Sequence, residues 1–130
     1  MKTRKRNIAL VAHDNQVDDL LDWAQFYRDL LAHHNVYATG SMVDLLSQEL
    51  DLNIIRFNGN ESSVGDRPSR TTLIPKTFDL LVLFWDFAEL PPNDPDIQAL
   101  LKLVTLGNVP IAGNRTAADV MFPSYLYRDS

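Results

Sequence analysis

Five short apolar runs recur along the chain, and each stops at polar or small residues. Asn7–Ala12 halts at His13-Asp14, and Val36–Ala38 halts at Thr39-Gly40-Ser41. Asn53–Phe57 runs into Asn58-Gly59-Asn60. Phe78–Trp85 (FDLLVLFW) is the strongest run and halts at Asp86, while Val109–Ala112 closes into Gly113-Asn114. Runs this short that do not alternate suit strands buried on both faces, so they predict a mainly parallel sheet. Between the runs the period changes. From Asp14 to Ala32 the apolar positions Val17, Leu20, Leu21, Ala24, Tyr27, Leu30 and Leu31 recur at spacings of three and four. This predicts one helix, with Asp14 as its N-cap and Asp18 and Asp19 in the first turn, where the dipole favours acids. The same pattern predicts helices over Ser41–Leu50 and Asp96–Leu106, the second started by Asp94-Pro95. A shorter helix over Thr116–Met121 takes Asn114 or Thr116 as its cap. Asn58–Pro75 carries no period and predicts a loop with at most one short helix, and a loop that long in a small domain points to function or mobility. Strands alternating with helices predict an α/β fold.

Composition narrows the class. The chain has 130 residues, no cysteine, 12 Lys+Arg and 17 Asp+Glu, for a formal charge of −5. The length fits a single domain over 1–130, with residues 1–6 as a solvated basic tail. An acidic chain is a poor general nucleic-acid binder, so no nucleic-acid partner is expected. No apolar run approaches the roughly 18 residues of a membrane span, and the run behind the basic N-terminus is too short for a signal peptide. The lack of cysteine removes disulfides, thiolate metal sites and cysteine nucleophiles, and fits a cytoplasmic location.

In an open parallel sheet, ligands bind beyond the carboxyl ends of the strands. Every run here ends on a hydrogen-bonding or ionisable group, which suits a small polar ligand, although the same residues are ordinary caps and turn formers. Thr39-Gly40-Ser41 is the best anion candidate: glycine admits a close approach, the next helix offers free N–H groups, and two hydroxyls add donors. His13 and Asp14 are candidates for acid–base or orienting roles. Asp66, Asp86 and Asp96 form the carboxylate set, and a carboxylate in a dry site can take a proton beside a carbonyl. His33 and His34 read as surface residues closing the first helix, and Trp23 and Trp85 read as core. No dinucleotide, P-loop, nucleophile-elbow or zinc-protease motif occurs, and no metal site is expected.

Taken together, these segments resemble the methylglyoxal synthase family over nearly the whole chain. The carrying residues are IALVAHD (Ile8–Asp14), YATG (Tyr37–Gly40), Gly65-Asp66, FWD (Phe84–Asp86), NDPD with IQALLKL (Asn93–Leu103), VPIA (Val109–Ala112) and TAAD (Thr116–Asp119). The resemblance implies a three-layer α/β sandwich around a central, mainly parallel five-stranded sheet. It implies a homohexameric lyase that converts dihydroxyacetone phosphate to methylglyoxal and phosphate with no cofactor. Asp66 matches the family's base, Asp86 and Asp96 its active-site carboxylates, and His13 a substrate-contacting histidine. Thr39, Gly40 and Ser41 match its phosphate-binding turn, and Asn58 and Gly59 stand where a Ser-Gly pair helps hold phosphate.

The sequence also departs from the family's pattern. Val17 stands in place of a phosphate-binding lysine, Met42 in place of a third hydroxyl, and Asn93 in place of a histidine that polarises the carbonyl. Asn60–Val64 replaces a Gly-rich stretch, Arg67-Pro68 replaces Gln-Gln, and the family's C-terminal extension has no counterpart after Ser130. Arg67 and Arg70, beside Asp66, are candidate compensating cations. Two other readings of the same scaffold follow. One is a binding module for a phosphorylated metabolite or a protein partner; the other is a scaffold without a small-molecule site.

Overall fold

The computed structural model describes residues 5–57, 78–85 and 95–126, without the side chains of Ser41, Tyr125 and Leu126. Its strands are β1 (Asn7–Ala12), β2 (Asn35–Thr39), β3 (Ile55–Phe57), β4 (Leu80–Phe84) and β5 (Ile111–Ala112). They form one sheet of order β3-β2-β1-β4-β5, with every pair parallel. The helices are α1 (Val17–Phe26), α2 (Arg28–Leu31), α3 (Gly40–Leu50), α4 (Pro95–Leu106) and α5 (Arg115–Leu126). A 3-10 turn over Asp14–Gln16 precedes α1.

Alternate residues of each central strand enter separate cores. Ile8, Leu10, Val36, Ala38, Leu80, Val82 and Phe84 pack against α1, α2, α3 and α5. Ala9, Val11, Tyr37, Leu81 and Leu83 pack against Ile97, Leu100 and Val104 of α4. The sheet is thus covered on both faces, as the non-alternating runs require. Each buried aliphatic side chain contributes about 1.5–3 kcal/mol of transfer free energy. Trp23, fully buried, sits among Tyr27, Phe84 and Phe122 with ring centroids 5.1 to 6.3 Å apart.

Several local expectations are corrected. The helix expected from Asp14 to Ala32 is broken twice. Asp14 lies in the 3-10 turn and does not cap: neither His13 nor Gln16, at the two helix starts, makes a side-chain capping bond. The second break falls at Tyr27 (φ −103°, ψ 17°). Immediately after it, Arg28 is drawn to the end of α3, where Nε donates to Leu50 O (2.8 Å) and Nη2 to Asp51 O (2.9 Å). A cation on the free carbonyls of a helix C-terminus is favourable. Asp51 itself is left-handed, at φ 53° and ψ 47°. At α5 the cap is Asn114, whose Oδ1 accepts from Ala117 N–H (2.9 Å). β3, β4 and β5 are shorter than their apolar runs.

The amino end of the sheet overturns two readings. Arg6 is only 8% exposed and faces Asp79 at 3.9 Å, so it is not part of a solvated tail. His34 is also buried, while His33 is exposed. His34 Nδ1 accepts the Arg6 backbone N–H (3.0 Å), which leaves the neutral ring's proton on Nε2, a buried atom without a partner among the described residues. The ring meets Phe122 edge to face, 6.2 Å between centroids.

Burial holds the His34 pKa below the ordinary histidine value, and His33 and Arg6 push the same way. The unfolded chain accepts a proton near the ordinary value of about 6.5, while the folded state still resists it. Stability is therefore full above that value and falls as pH drops below it, towards the lower folded value. Urea unfolding between about pH 8 and about pH 5 should show this loss, with at most about 1.4 kcal/mol per pH unit from this one group. His34→Asn, which keeps an acceptor for Arg6, should reduce the slope; an unchanged slope would assign the titration to another group.

Candidate functional site

The strand order reverses direction at β1. From β1 the chain steps outward through β2 to β3, whereas β4 takes the other side of β1 and leads on to β5. The carboxyl end of the β1–β4 pair is therefore the switch point, where such sheets open a crevice. His13 lies there. Its N–H donates to Phe84 O (2.9 Å), extending the parallel ladder one residue past the Ala12–Phe84 pair. Its imidazole stacks flat on Trp85, with centroids 4.4 Å apart and planes 8° apart. Trp85 is thus half-buried at the strand end, and the expectation of a purely core tryptophan is corrected. His13 Nδ1 is buried and has no hydrogen-bond partner among the described residues.

β2 ends on the same edge, one strand away at about 4.8 Å spacing. Thr39, 6% exposed, pairs in register with Phe57 and precedes α3 with φ −80° and ψ 164°. It makes no side-chain cap, and the first turn of α3 contains no acid. Thr39 thus leaves the amides that open α3 for another acceptor. Gly40 is the first residue of that helix. Its backbone is not left-handed, and a β-carbon on Gly40 would lie 3.1 Å from Arg56 Nη1, a contact the guanidinium would have to relieve by a small shift. Arg56 lies between Ile55 and Phe57 on β3, paired in register with Ala38.

α4 follows β4 and leads to β5, so its first turn belongs to the same end of the sheet; Asp96 is half-buried there. Asp14 is exposed at the start of the 3-10 turn. Val17, at the start of α1, packs against the core, and Met42 is 5% exposed in that core. Ser41 is the second residue of α3. Asn58, Gly59, Asp66, Arg67, Arg70, Asp86, Asn93 and the Asn60–Val64 stretch lie outside the described residues.

Of the expected site residues, the structure brings His13, Thr39, Gly40 and Asp96 to one end of the sheet. The sequence reading missed two residues there. Trp85 was legible only as the last apolar residue before Asp86. Arg56 carried a usable signal, as a lone cation inside an apolar β-branched run. Among the described residues, no group of three His, Cys, Asp or Glu could hold a metal ion, and no helix is long and apolar enough to cross a membrane.

No family model matches the chain. Individual relatives do. The chain is 38% identical over 119 residues to methylglyoxal synthase of Leptospira interrogans, covering 92% of this chain and 80% of that one. It is 35% identical over 122 residues to methylglyoxal synthase of Coxiella burnetii, covering 94% and 85%. The chain belongs to the methylglyoxal synthase family. The methylglyoxal synthase of Yersinia enterocolitica is 37% identical over 123 residues, 95% of this chain and 80% of that one. The crystal structure of methylglyoxal synthase from Elizabethkingia anophelis superposes with a TM-score of 0.64 at 26% identity, covering 100% of this chain and 98% of that one. The α/β sandwich with its five-stranded parallel sheet is therefore the family's fold, and His13 lies at its switch point.

Stacking of this kind is worth about 0.5–1.5 kcal/mol, so Trp85 holds the imidazole in one orientation. Trp85→Ala should release the His13 ring, read as increased mobility of its imidazole resonances by NMR relaxation. The Thr39 and Gly40 amide signals should stay in place. An equally ordered ring in the variant would mean that the ladder bond from His13 N–H is sufficient to orient it.

Proposed function

We propose that this chain is a methylglyoxal synthase acting on dihydroxyacetone phosphate. The observation that carries the reading is the placement of an oriented, incompletely bonded histidine beside an uncapped helix start at the sheet's switch point. The phosphate is held at the amides of Gly40 and Ser41, with Thr39, Ser41, Asn58 and Gly59 as further donors. A helix N-terminus suits this, since its free N–H groups and dipole both favour an anion. His13 contacts the carbonyl end, where a neutral imidazole can stabilise developing negative charge on oxygen.

In this mechanism the Asp66 carboxylate takes a proton from the hydroxymethyl carbon beside the ketone. The C–H electron pair becomes the carbon–carbon double bond of an enediolate. That pair then displaces the phosphate ester oxygen at the other carbon: the C–O bond breaks and inorganic phosphate leaves. As the phosphate leaves, the hydroxymethyl oxygen gives up its proton and becomes the aldehyde carbonyl; the enol that remains takes a proton on its methylene carbon, loses its hydroxyl proton and becomes methylglyoxal. No electron acceptor or second substrate is required. Asp86 and Asp96 act as site carboxylates, and Asn93 as a neutral hydrogen-bonding group near the carbonyl. The role of Asp66 rests on the resemblance of the Gly65-Asp66 segment. The chain works as a homo-oligomer, a hexamer in this reading, and exposed Phe26, Leu106 and Val120 offer apolar surface for subunit contacts.

One observation favours a second reading. Val17, at the position of the family's lysine, packs against the core and offers no cation. A module that binds a phosphorylated metabolite without turning it over would keep the Thr39–Ser41 turn and tolerate that loss.

Purified protein should release phosphate and methylglyoxal from dihydroxyacetone phosphate, and Asp66→Asn should lower kcat by about 10²–10⁴-fold, the usual worth of a positioned base. Stabilisation by the substrate with no product at high protein concentration would select the binding module instead.

A further inference from the structure

The described arginines are not equivalent. Arg6 faces Asp79, Arg28 lies against Asp29 and Asp51, and Arg115 pairs with Asp22. Each of these cations is matched by a carboxylate. Arg56 makes no ion pair among the described residues, and its guanidinium lies over Gly40, where a β-carbon would come within 3.1 Å of Nη1. Strand geometry explains the position. Ile55 and Phe57 turn towards the α4 face, while Arg56, between them, shares the α3 face with Ala38. β3 is the edge strand, so the long side chain can run out along the sheet to the first turn of α3 while remaining exposed.

A cation at a helix N-terminus meets the positive end of the dipole, which is unfavourable when nothing negative lies between them. Here the first turn of α3 contains no acid and Thr39 supplies no cap. Two positive features thus converge on one spot, with no acid in the first turn and, among the described residues, no carboxylate paired to Arg56. A phosphate there would satisfy both, taking the free amides on one side and the guanidinium fork on the other.

We infer that Arg56 is the cation that grips the substrate's phosphate group, taking the part left vacant by Val17. This rests on the proposed reaction for the identity of the substrate, and assigns the charge to a strand other than the one that carried the family's lysine. Arg67 and Arg70 are not needed for it. Arg56 acts on binding more than on chemistry: the phosphate dianion is held before the proton moves, and departs with its charge still matched. Gly40 belongs to the same device, because a β-carbon there would press on the guanidinium at 3.1 Å.

The experiment compares wild type with Arg56→Gln and Arg56→Lys, using both turnover and binding of inorganic phosphate. Calorimetry with phosphate alone should show Arg56→Gln weaker by about 10- to 100-fold, the range for losing a hydrogen bond to a charged group. Arg56→Lys should recover part of that loss, since it keeps the charge without the fork. In turnover, Arg56→Gln should raise KM for dihydroxyacetone phosphate by a similar factor and change kcat by much less. The melting temperature without phosphate should be unchanged, because the side chain is exposed. Equal phosphate affinity in wild type and Arg56→Gln would overturn the inference, as would no phosphate binding by wild type. Wild type that binds phosphate through Arg56 but makes no methylglyoxal would sustain the inference and sink the proposed reaction.

Discussion

The pairing of β1 with β4 is the constraint on which the rest of the structure depends. Both strands are buried on both faces, and their register runs without a break from Ile8–Leu80 to Ala12–Phe84. Five consecutive apolar residues on each strand leave no solvent-facing side chain, so the pair is stable only with helices on either side. The same pairing also decides where chemistry can occur. Its last rung is the bond from His13 N–H to Phe84 O, and the residues just beyond it are His13 and Trp85. The imidazole is thereby fixed by backbone and by stacking together, and the core supplies the rigidity of both. A histidine on a loop of the same length would have to lose its own conformational entropy when ligand bound.

Much of this could be read from residues. β1 and β4 were legible because an unbroken apolar run leaves few alternatives for a buried strand, and α3 and α4 because their apolar residues keep a steady spacing. What failed was decided by partners distant in sequence. The break at Tyr27 follows no Gly or Pro; it is accompanied by the attachment of Arg28 to carbonyls at Leu50 and Asp51. His34 looked like a surface residue at a helix end, yet the backbone of Arg6 supplies the hydrogen bond that permits its burial. At the site, His13 and the Thr39-Gly40 turn were legible as strand-end residues. Trp85 was not, and Arg56 showed only as a lone cation in an apolar run, because their placement depends on register: Trp85 meets His13 across the β1–β4 pair, and Arg56 reaches Gly40 because β3 pairs with β2.

The net charge of −5 sets the electrostatic problem for a phosphate ligand. A negative overall field opposes the approach of an anion, so binding must come from short-range features. Screening helps, since at physiological salt a charge is felt over only about 8 Å. At the α3 start, the local positive features among the described residues are the partial charges on the amides and the full charge on Arg56. The carboxylates of Asp22, Asp79 and Asp51 are tied to other arginines, and their pairings reduce the field they would otherwise cast.

This division of cations clarifies how the family's site could change without losing its ligand. In the proposed site, Arg56 on β3 approaches the amides that open α3 from the edge of the sheet, whereas a cation at position 17 would approach from α1. With the charge proposed on β3, the first turn of α1 needs no cation, and Val17 there packs against the core. The exchange also alters the geometry of recognition. Lysine presents a point charge that tolerates several orientations, while the guanidinium is planar and holds two oxygens in a fixed plane. A fork anchored over Gly40 would favour one rotation of the phosphate about its ester bond. It would therefore influence the angle at which that bond stands to the carbon plane when it breaks. In a reaction whose outcome depends on expelling phosphate from the enediolate, that angle governs overlap between the breaking bond and the new double bond. In the proposed site the location of the charge thus sets the affinity for the substrate first, and bears on the departure of the phosphate only secondarily.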